Sequence, residues 1–230
     1  MRYDIILWDL DNTILDFDKA ESKTMKSLFL RFGFGECTDE MVARYSEINK
    51  EYWHKLERGE MAKSDILVKR FESFFEECGI DVALAGEFNS LYQLSLGDTI
   101  AFRDNAFEIV QSLRGVAKQY IVSNGTIQAQ RKKLKLSGLD KIVDGVFLSE
   151  ELGAEKPSID FFDRAFAKIG DFDKDRAIII GDSLTSDIKG GNNAGIAACW
   201  YNFNREPLNH KAKPDFEIDE LHKIFAIIDK

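Results

Sequence analysis

The sequence predicts an α/β fold, a doubly wound parallel sheet that carries an inserted helical domain. Along most of the chain, short apolar runs alternate with amphipathic segments, which is the pattern of such a sheet. Residues 16–97 break the alternation, because they contain no convincing strand and no proline. A chain of 230 residues is long enough for one domain with a large insertion. We therefore expect an α/β core over residues 1–15 and 98–230 and an α-helical cap over 16–97.

The strands of the predicted sheet are short apolar runs, typical of strands buried on both faces. They are Tyr3–Trp8, Tyr120–Val122, Val146–Leu148, Ala177–Ile180 and Ile196–Tyr201. Helical periodicity fills Ala106–Leu113 and Ile159–Ile169, and the second of these begins after Pro157 and Ser158. The segment Asp215–Ile228 predicts one more short strand and a closing helix.

The inserted segment reads as about four helices, three of which show an apolar stripe at helical spacing. The stripes contain Met25, Leu28, Phe29 and Phe32; Leu67, Phe71, Phe74, Phe75 and Cys78; and Leu84, Phe88, Leu91 and Tyr92. Apolar residues at this spacing usually pack inside a bundle, so we expect these side chains to form the core of the insert.

Composition limits the classes of partner. A net charge of −9 argues against a general binder of nucleic acid or of an anionic membrane, but not against a small phosphorylated substrate. The three cysteines are odd in number and widely spaced, which favours free thiols in a reducing compartment. Neither a targeting segment nor an apolar run of 18 residues is present, so we expect a cytoplasmic protein. The sequence leaves the oligomeric state open.

Two carboxylates, Asp9 and Asp11, follow the first predicted strand. The carboxyl end of a buried parallel strand opens into the crevice where α/β sheets bind ligands. Two acids this close can share one divalent cation while one acts as a nucleophile and the other moves protons. The alternative is an ordinary turn, for which Asp and Asn are common residues.

Polar residues also follow the second and third predicted strands. Ser123, Asn124 and Gly125 can hold a phosphate with a hydroxyl and backbone N–H groups, or can simply cap the next helix. Lys156 stands before Pro157 at a helix entrance, where its charge can pair with a phosphoryl oxygen. A solvated surface charge is the ordinary role of a lysine.

The fourth strand ends in Asp182, and Asp187 lies five residues further on. Mg²⁺ prefers carboxylate oxygens and water, so Asp182 is a candidate ligand and Asp187 can orient a bound water. The sequence therefore predicts a magnesium site at the same edge of the sheet.

The order and spacing of these four strand-end sites resemble the haloacid dehalogenase-like (HAD) superfamily, whose motifs read DxDx[TV], Ser or Thr, Lys, and GDxxxxD. The resemblance covers the whole chain and implies a Rossmann-like core with a helical cap. It implies that Asp9 is the nucleophile that becomes an aspartyl-phosphate and that Asp11 is the general acid and base. Mg²⁺ would be held by the Asp9 carboxylate, the Asp11 backbone carbonyl and Asp182, with Asp187 in support.

The same resemblance implies that Ser123 and Lys156 hold the phosphoryl group and that Asn124 contributes a backbone N–H. Dehalogenases of the superfamily lack an acid at the position of Asp11, so its presence favours phosphoester chemistry.

Three longer segments of the sequence resemble one group within this superfamily. Residues 8–13, 149–157 and 181–202 are similar to the YjjG-type pyrimidine 5′-nucleotidases. This similarity implies a Mg²⁺-dependent hydrolase of pyrimidine nucleoside 5′-monophosphates, with no nucleic-acid or membrane partner.

Two alternatives remain at this point. The first is another small-metabolite phosphatase or a sugar-phosphate mutase of the same superfamily, because the core motifs are shared. The second is a non-enzymatic phospho-accepting receiver module, which also uses an Asp, a Mg²⁺, a hydroxyl and a Lys on a parallel sheet. Receiver modules lack both a large helical insertion and an acid two residues after a nucleophile on the first strand.

Overall fold

The computed structural model describes residues 2–208 and 211–228 and divides the chain into two compact units. One unit comprises Met1–Asp16 and Ile100–Lys230 and contains the sheet. The other comprises Phe17–Thr99 and is helical. No helix among the described residues has the length and apolarity needed to cross a membrane.

The sheet has six parallel strands in the order β3-β2-β1-β4-β5-β6. The strands are β1 (Ile5–Trp8), β2 (Lys118–Ser123), β3 (Gly145–Leu148), β4 (Ala177–Gly181), β5 (Ala197–Tyr201) and β6 (Phe216–Ile218). The strand order runs outward from β1 in both directions, so β1 lies at the switch point where such sheets open a crevice.

The helices of the chain fall into the two units. They are α1 (Phe17–Phe32), α2 (Asp39–Glu57), α3 (Lys63–Cys78), α4 (Ala85–Leu96), α5 (Ala106–Ser112), α6 (Ile127–Ser137), α7 (Ser149–Leu152), α8 (Ile159–Ile169), α9 (Lys189–Ala194) and α10 (Phe225–Ile228). Shorter 3-10 turns span Val82–Leu84, Leu139–Lys141, Lys174–Arg176 and Leu221–Ile224, and a π-helical turn spans Leu184–Ile188.

Helix α8 has the predicted bounds. Ser158 caps its start, where the hydroxyl accepts a hydrogen bond from the Asp160 backbone N–H. Gly170 ends it with a φ of 92°, a conformation that residues with a side chain rarely adopt.

Both faces of the sheet are covered by helices. Ile6 and Trp8 of β1 belong to one buried cluster, together with Ile109 of α5. Ile5 and Leu7 belong to a second cluster, together with Phe161 of α8. Successive side chains of a strand point to opposite faces, which is why a strand covered on both faces is apolar throughout. The prediction of a doubly wound parallel sheet is confirmed.

The helical unit is built from α1 to α4 around an aromatic core. Phe29, Phe71, Phe75, Phe88 and Tyr92 are all fully buried. Their rings meet mainly edge-to-face or tilted, for example Phe29 on Phe88 and Phe71 on Tyr92. Most residues of the predicted apolar stripes therefore lie in the core of this unit. The exceptions are only partly buried: Phe32, Leu67, Cys78, Leu84 and Leu91.

A buried polar network accompanies the aromatic core. The Glu21 carboxylate accepts hydrogen bonds from Asn49 Nδ2 at 2.9 Å, from the Tyr92 hydroxyl at 3.0 Å and from the Ser46 hydroxyl. Arg70 donates to Asn49 Oδ1 at 2.6 Å. Burial raises the pKa of Glu21. These bonds satisfy polar groups that would be costly to bury alone.

The two chain segments that flank the helical unit pair with each other inside the sheet unit. Asp16 N donates to Ala101 O at 2.8 Å, and Arg103 N donates to Ile14 O at 2.9 Å. Leu15 and Phe102 form an antiparallel bridge between these bonds.

Candidate active site

The four predicted strand-end sites surround the carboxyl end of β1. Trp8, the last residue of β1, is level with Ile121 of β2 and Ile180 of β4. Asp9 follows β1 directly, and its backbone N–H donates to Ile180 O at 2.9 Å. The parallel register therefore brings the ends of three neighbouring strands together.

The Lys156 ammonium lies at the centre of this site. Its Nζ donates to Asp9 Oδ1 at 2.8 Å, to Asp187 Oδ1 at 2.7 Å and to Val122 O at 2.9 Å. Lys156 is only 1% exposed. Burial alone would lower the pKa of Lys156, but the carboxylates of Asp187 and Asp9 raise it above its ordinary value. The lysine is therefore a buried, charged link between two acids, not a solvated surface residue.

Asp9 is held at both carboxylate oxygens. Lys156 bonds to Oδ1, and the Thr13 hydroxyl donates to Oδ2 at 3.1 Å. Burial raises the pKa of Asp9 to about 7, while Lys156 opposes the rise and Asp187 adds to it. A divalent cation beside this carboxylate would favour its charged form.

Asp11 faces different partners. Lys133 Nζ donates to its Oδ1 at 2.6 Å, and Gln130 Nε2 donates to its Oδ2 at 2.7 Å. Asn12, the next residue, has a φ of 61° and turns the chain away from the strand direction. Two acids separated by one residue thus have different partners: Asp9 contacts Lys156, and Asp11 contacts side chains of α6.

The last residue of β2, Ser123, and the loop that follows it contribute polar groups with different partners. Ser123 Oγ accepts hydrogen bonds from Gly125 N at 3.1 Å and from Gln130 Nε2 at 2.6 Å. The Asn124 side chain is bonded to the backbone of Lys156, donating to its carbonyl at 2.8 Å and accepting from its N–H at 2.9 Å. Asn124 therefore fixes the position of the lysine's main chain.

The carboxylates near β4 form a group that can hold a metal. Asp9, Asp182 and Asp187 each offer an oxygen, and these atoms lie within 4.8 Å of one another. Asp187 accepts from Lys156 at one oxygen and from Ser183 N at 3.1 Å at the other. This donor set fits Mg²⁺, which takes one or two carboxylates together with water.

Gly181 makes room for Asp187. A Cβ atom at this glycine would lie 2.2 Å from Asp187 Oδ2, so any side chain here would displace the carboxylate. The glycine of the GDxxxxD pattern thus has a steric role.

All seven predicted site residues lie in this region of the sheet unit: Asp9, Asp11, Ser123, Asn124, Lys156, Asp182 and Asp187. Asp9, Lys156 and Asp187 are in direct contact. Asp11 is joined to Ser123 through Gln130. The chemical roles assigned to these residues stay predictions.

Sequence reasoning missed Gln130 and Lys133 of α6. Both are buried, at 1% and 2% exposure. The available signal was their place in the helical periodicity, since they share a face with Ala129 and Leu134, which are apolar and also buried. A polar pair on the apolar face of a helix indicates a partner inside the protein.

Comparisons of the sequence and of the structure with known proteins agree on one family. A family model described as a haloacid dehalogenase-like hydrolase matches residues 3–195. The pyrimidine 5′-nucleotidase PynA of Streptococcus pneumoniae is 32% identical over 233 residues, covering 100% of this chain and 97% of PynA. The pyrimidine 5′-nucleotidase YjjG of Escherichia coli is 29% identical over 230 residues and is covered completely. The crystal structure of the HAD-hydrolase YfnB of Bacillus subtilis, bound to magnesium, has a TM-score of 0.93 at 34% identity over 100% of both chains.

The central position of Lys156 predicts a large effect on stability. Lys156→Met leaves two buried carboxylates without their cation, so we expect the free energy of unfolding to fall by about 3–5 kcal/mol. Urea denaturation of metal-free protein at pH 8 measures it. Lys168→Met, on the exposed part of α8, is the control and should change little. A loss below about 1 kcal/mol for Lys156→Met would contradict the central role of this ion pair.

Proposed function

The chain belongs to the haloacid dehalogenase-like hydrolases and is a phosphoric monoester hydrolase, and we propose that it removes the 5′-phosphate of pyrimidine nucleoside monophosphates with Mg²⁺ as cofactor. The observation that carries the chemistry is the contact of Asp9 with the buried Lys156 ammonium, next to a second acid, Asp11, that is bonded to Lys133 of α6 instead. The family excludes the receiver-module alternative.

The proposed reaction has two steps. In the first, an Asp9 carboxylate oxygen forms a bond to phosphorus while the bond from phosphorus to the leaving oxygen breaks, and Asp11 gives that oxygen a proton. In the second, Asp11 takes a proton from water, whose oxygen attacks phosphorus and releases inorganic phosphate from Asp9. The side chains of Asp9 and Asp11 suit these roles because they have different partners.

Stabilisation of the transferring phosphoryl group falls to nearby cations and donors. Lys156 provides the charge, Ser123 a hydroxyl and Asn124 a backbone N–H. Lys156 also keeps Asp9 oriented, since one of its three hydrogen bonds is to that carboxylate.

Mg²⁺ would be held by the Asp9 and Asp182 carboxylates and by the Asp11 backbone carbonyl. Asp187 would orient a water molecule bound to the metal. When bound, it would neutralise negative charge on the phosphoryl oxygens. The three-carboxylate group supports this proposal through its donor chemistry.

The substrate assignment rests on similarity to PynA and YjjG along the full chain. We propose that residues 16–97 act as the cap that selects the leaving group, with the core over 1–15 and 98–230. A cytoplasmic location fits the three free cysteines, Cys37, Cys78 and Cys199.

Asp9→Asn should lower kcat by more than about 10³-fold, because the amide keeps the shape of the carboxylate but is not a nucleophile. Lys156 keeps Asp187 and Val122 O as acceptors, so the fold should persist. Phosphate release measures the loss, and urea denaturation checks the fold. A folded variant that retains several per cent of activity would show that Asp9 is not the nucleophile.

Activity should require a divalent cation. Removal with EDTA, or Asp182→Ala, should lower kcat/KM by more than about a hundredfold, since a metal supplies several kcal/mol of charge stabilisation. Added Mg²⁺ should restore the wild type after EDTA but restore Asp182→Ala poorly. Asp163→Ala, an exposed acid on α8, is the matched control. Full activity in metal-free buffer would overturn the magnesium proposal.

UMP, dUMP and dTMP should be hydrolysed with a kcat/KM at least about tenfold above those of AMP, GMP and hexose 6-phosphates. The panel should also include a sugar phosphate as acceptor, because transfer to it in place of water identifies a mutase. If purine nucleotides or sugar phosphates are preferred, the phosphatase chemistry stands and the nucleotidase assignment is wrong.

A further inference from the structure

We propose that Gln130 and Lys133 of α6 are positioning residues, which together hold the carboxylate of Asp11 and orient the hydroxyl of Ser123. The inference rests on the proposed function in one respect, that Asp11 is the acid that protonates the leaving group.

The first observation is the burial of a charge on α6. Lys133 is 2% exposed, although a lysine is costly to bury unless it is paired. Its Nζ lies 2.6 Å from Asp11 Oδ1, whereas Lys135 on the same helix is exposed. Lys133 is thus a buried cation whose partner is the Asp11 carboxylate.

The second observation is that both Asp11 oxygens are bonded to one helix. Lys133 holds Oδ1 and Gln130 holds Oδ2 at 2.7 Å, from positions three residues apart on one helix face. Two donors at fixed positions define the plane of a carboxylate that could otherwise adopt several rotamers. A general acid that is already oriented avoids that loss of freedom during the reaction.

The third observation concerns Ser123. A hydroxyl has one hydrogen to donate and two lone pairs to accept with. Ser123 Oγ accepts from Gln130 Nε2 at 2.6 Å and from Gly125 N at 3.1 Å. With both lone pairs engaged, the hydroxyl is oriented to act as a donor, which is what a phosphoryl oxygen needs. Gln130 therefore connects the acid to the phosphate-binding hydroxyl.

The fourth observation explains Gly125. A Cβ atom here would lie 2.0 Å from Gln130 Nε2, while the φ of this glycine lies outside the left-handed region. An alanine would fit the backbone but would displace the flexible Gln130 amide. Gly125→Ala is thus a way to move Gln130 without replacing it.

The test compares two aryl esters of nearly equal size. The leaving group of 4-nitrophenyl phosphate departs without a proton, whereas that of phenyl phosphate needs one. The ratio kcat/KM reports the first step, in which the leaving group departs, even if release of phosphate from Asp9 limits kcat. Lys133→Met, Gln130→Met and Gly125→Ala are compared with Lys135→Met as the exposed control and Asp11→Asn as the reference for complete loss of the acid.

Lys133→Met should lower kcat/KM for phenyl phosphate on the order of a hundredfold, the scale of general acid catalysis, and for 4-nitrophenyl phosphate by less than about fivefold. Gly125→Ala should show the same selective loss on phenyl phosphate and gives a second test if Lys133→Met does not fold. Asp11→Asn should show the largest selective loss, and Lys135→Met none.

Inorganic phosphate as a competitive inhibitor separates the two residues. Its inhibition constant should rise about tenfold in Gln130→Met, the scale of one hydrogen bond, because Ser123 loses its orientation. It should change by less than about twofold in Lys133→Met, because the bonds from Gly125 N and Gln130 Nε2 to Ser123 stay in place. Equal changes in both variants would overturn the assignment of Ser123 to Gln130.

Equal losses on both esters, or no loss on either, would overturn the positioning role while the proposed function stands. A wild-type enzyme that releases no phosphate from UMP or from either ester would overturn the proposed function and this inference with it.

Discussion

The arrangement of the site depends on one buried ammonium group. Lys156 bonds to Asp9 after β1, to Asp187 after β4 and to the Val122 carbonyl of β2. Two buried carboxylates this close would repel each other without a cation between them. The lysine in turn depends on Asn124, which holds its backbone N–H and carbonyl. Strand ends that are distant in sequence are therefore tied to one side chain.

The separate positions of the Asp9 and Asp11 side chains also reflect the need of buried carboxylates for a cation. If both acids faced Lys156, a single ammonium would have to neutralise three carboxylates. Lys133 removes Asp11 from this competition by supplying a second cation from another element. Each acid thus has its own counter-charge.

Much of the sheet and its edge was predictable because the signals are local. A strand covered on both faces must be apolar, and a polar residue at its end stands out against that run, as Asp9, Ser123 and Asp182 do. Helix α8 carries its own start and stop residues. Contacts between residues distant in sequence are harder to predict. Four basic residues lie on α6, namely Arg131, Lys132, Lys133 and Lys135, and only the packing of the helix shows that Lys133 contacts Asp11. Glu21 is a second case, since its donors come from two other helices, α2 and α4.

Gly125 has a steric role that the sequence does not show. Its φ lies outside the left-handed region, and the space of its missing side chain is occupied by Gln130. Such a constraint depends on a residue five positions away in a helix. It becomes visible only when the helix is placed against the strand end.

The pairing of residues 14–16 with 101–103 bears on how such chains diversify. The ends of the intervening segment are fixed by hydrogen bonds that belong to the sheet unit, from Asp16 to Ala101 and from Arg103 to Ile14. The entropy of closing a loop grows only slowly with its length, so these bonds can tolerate segments of very different size. The sheet can therefore accept an insert of a different length at this junction without a change in the register of its own strands.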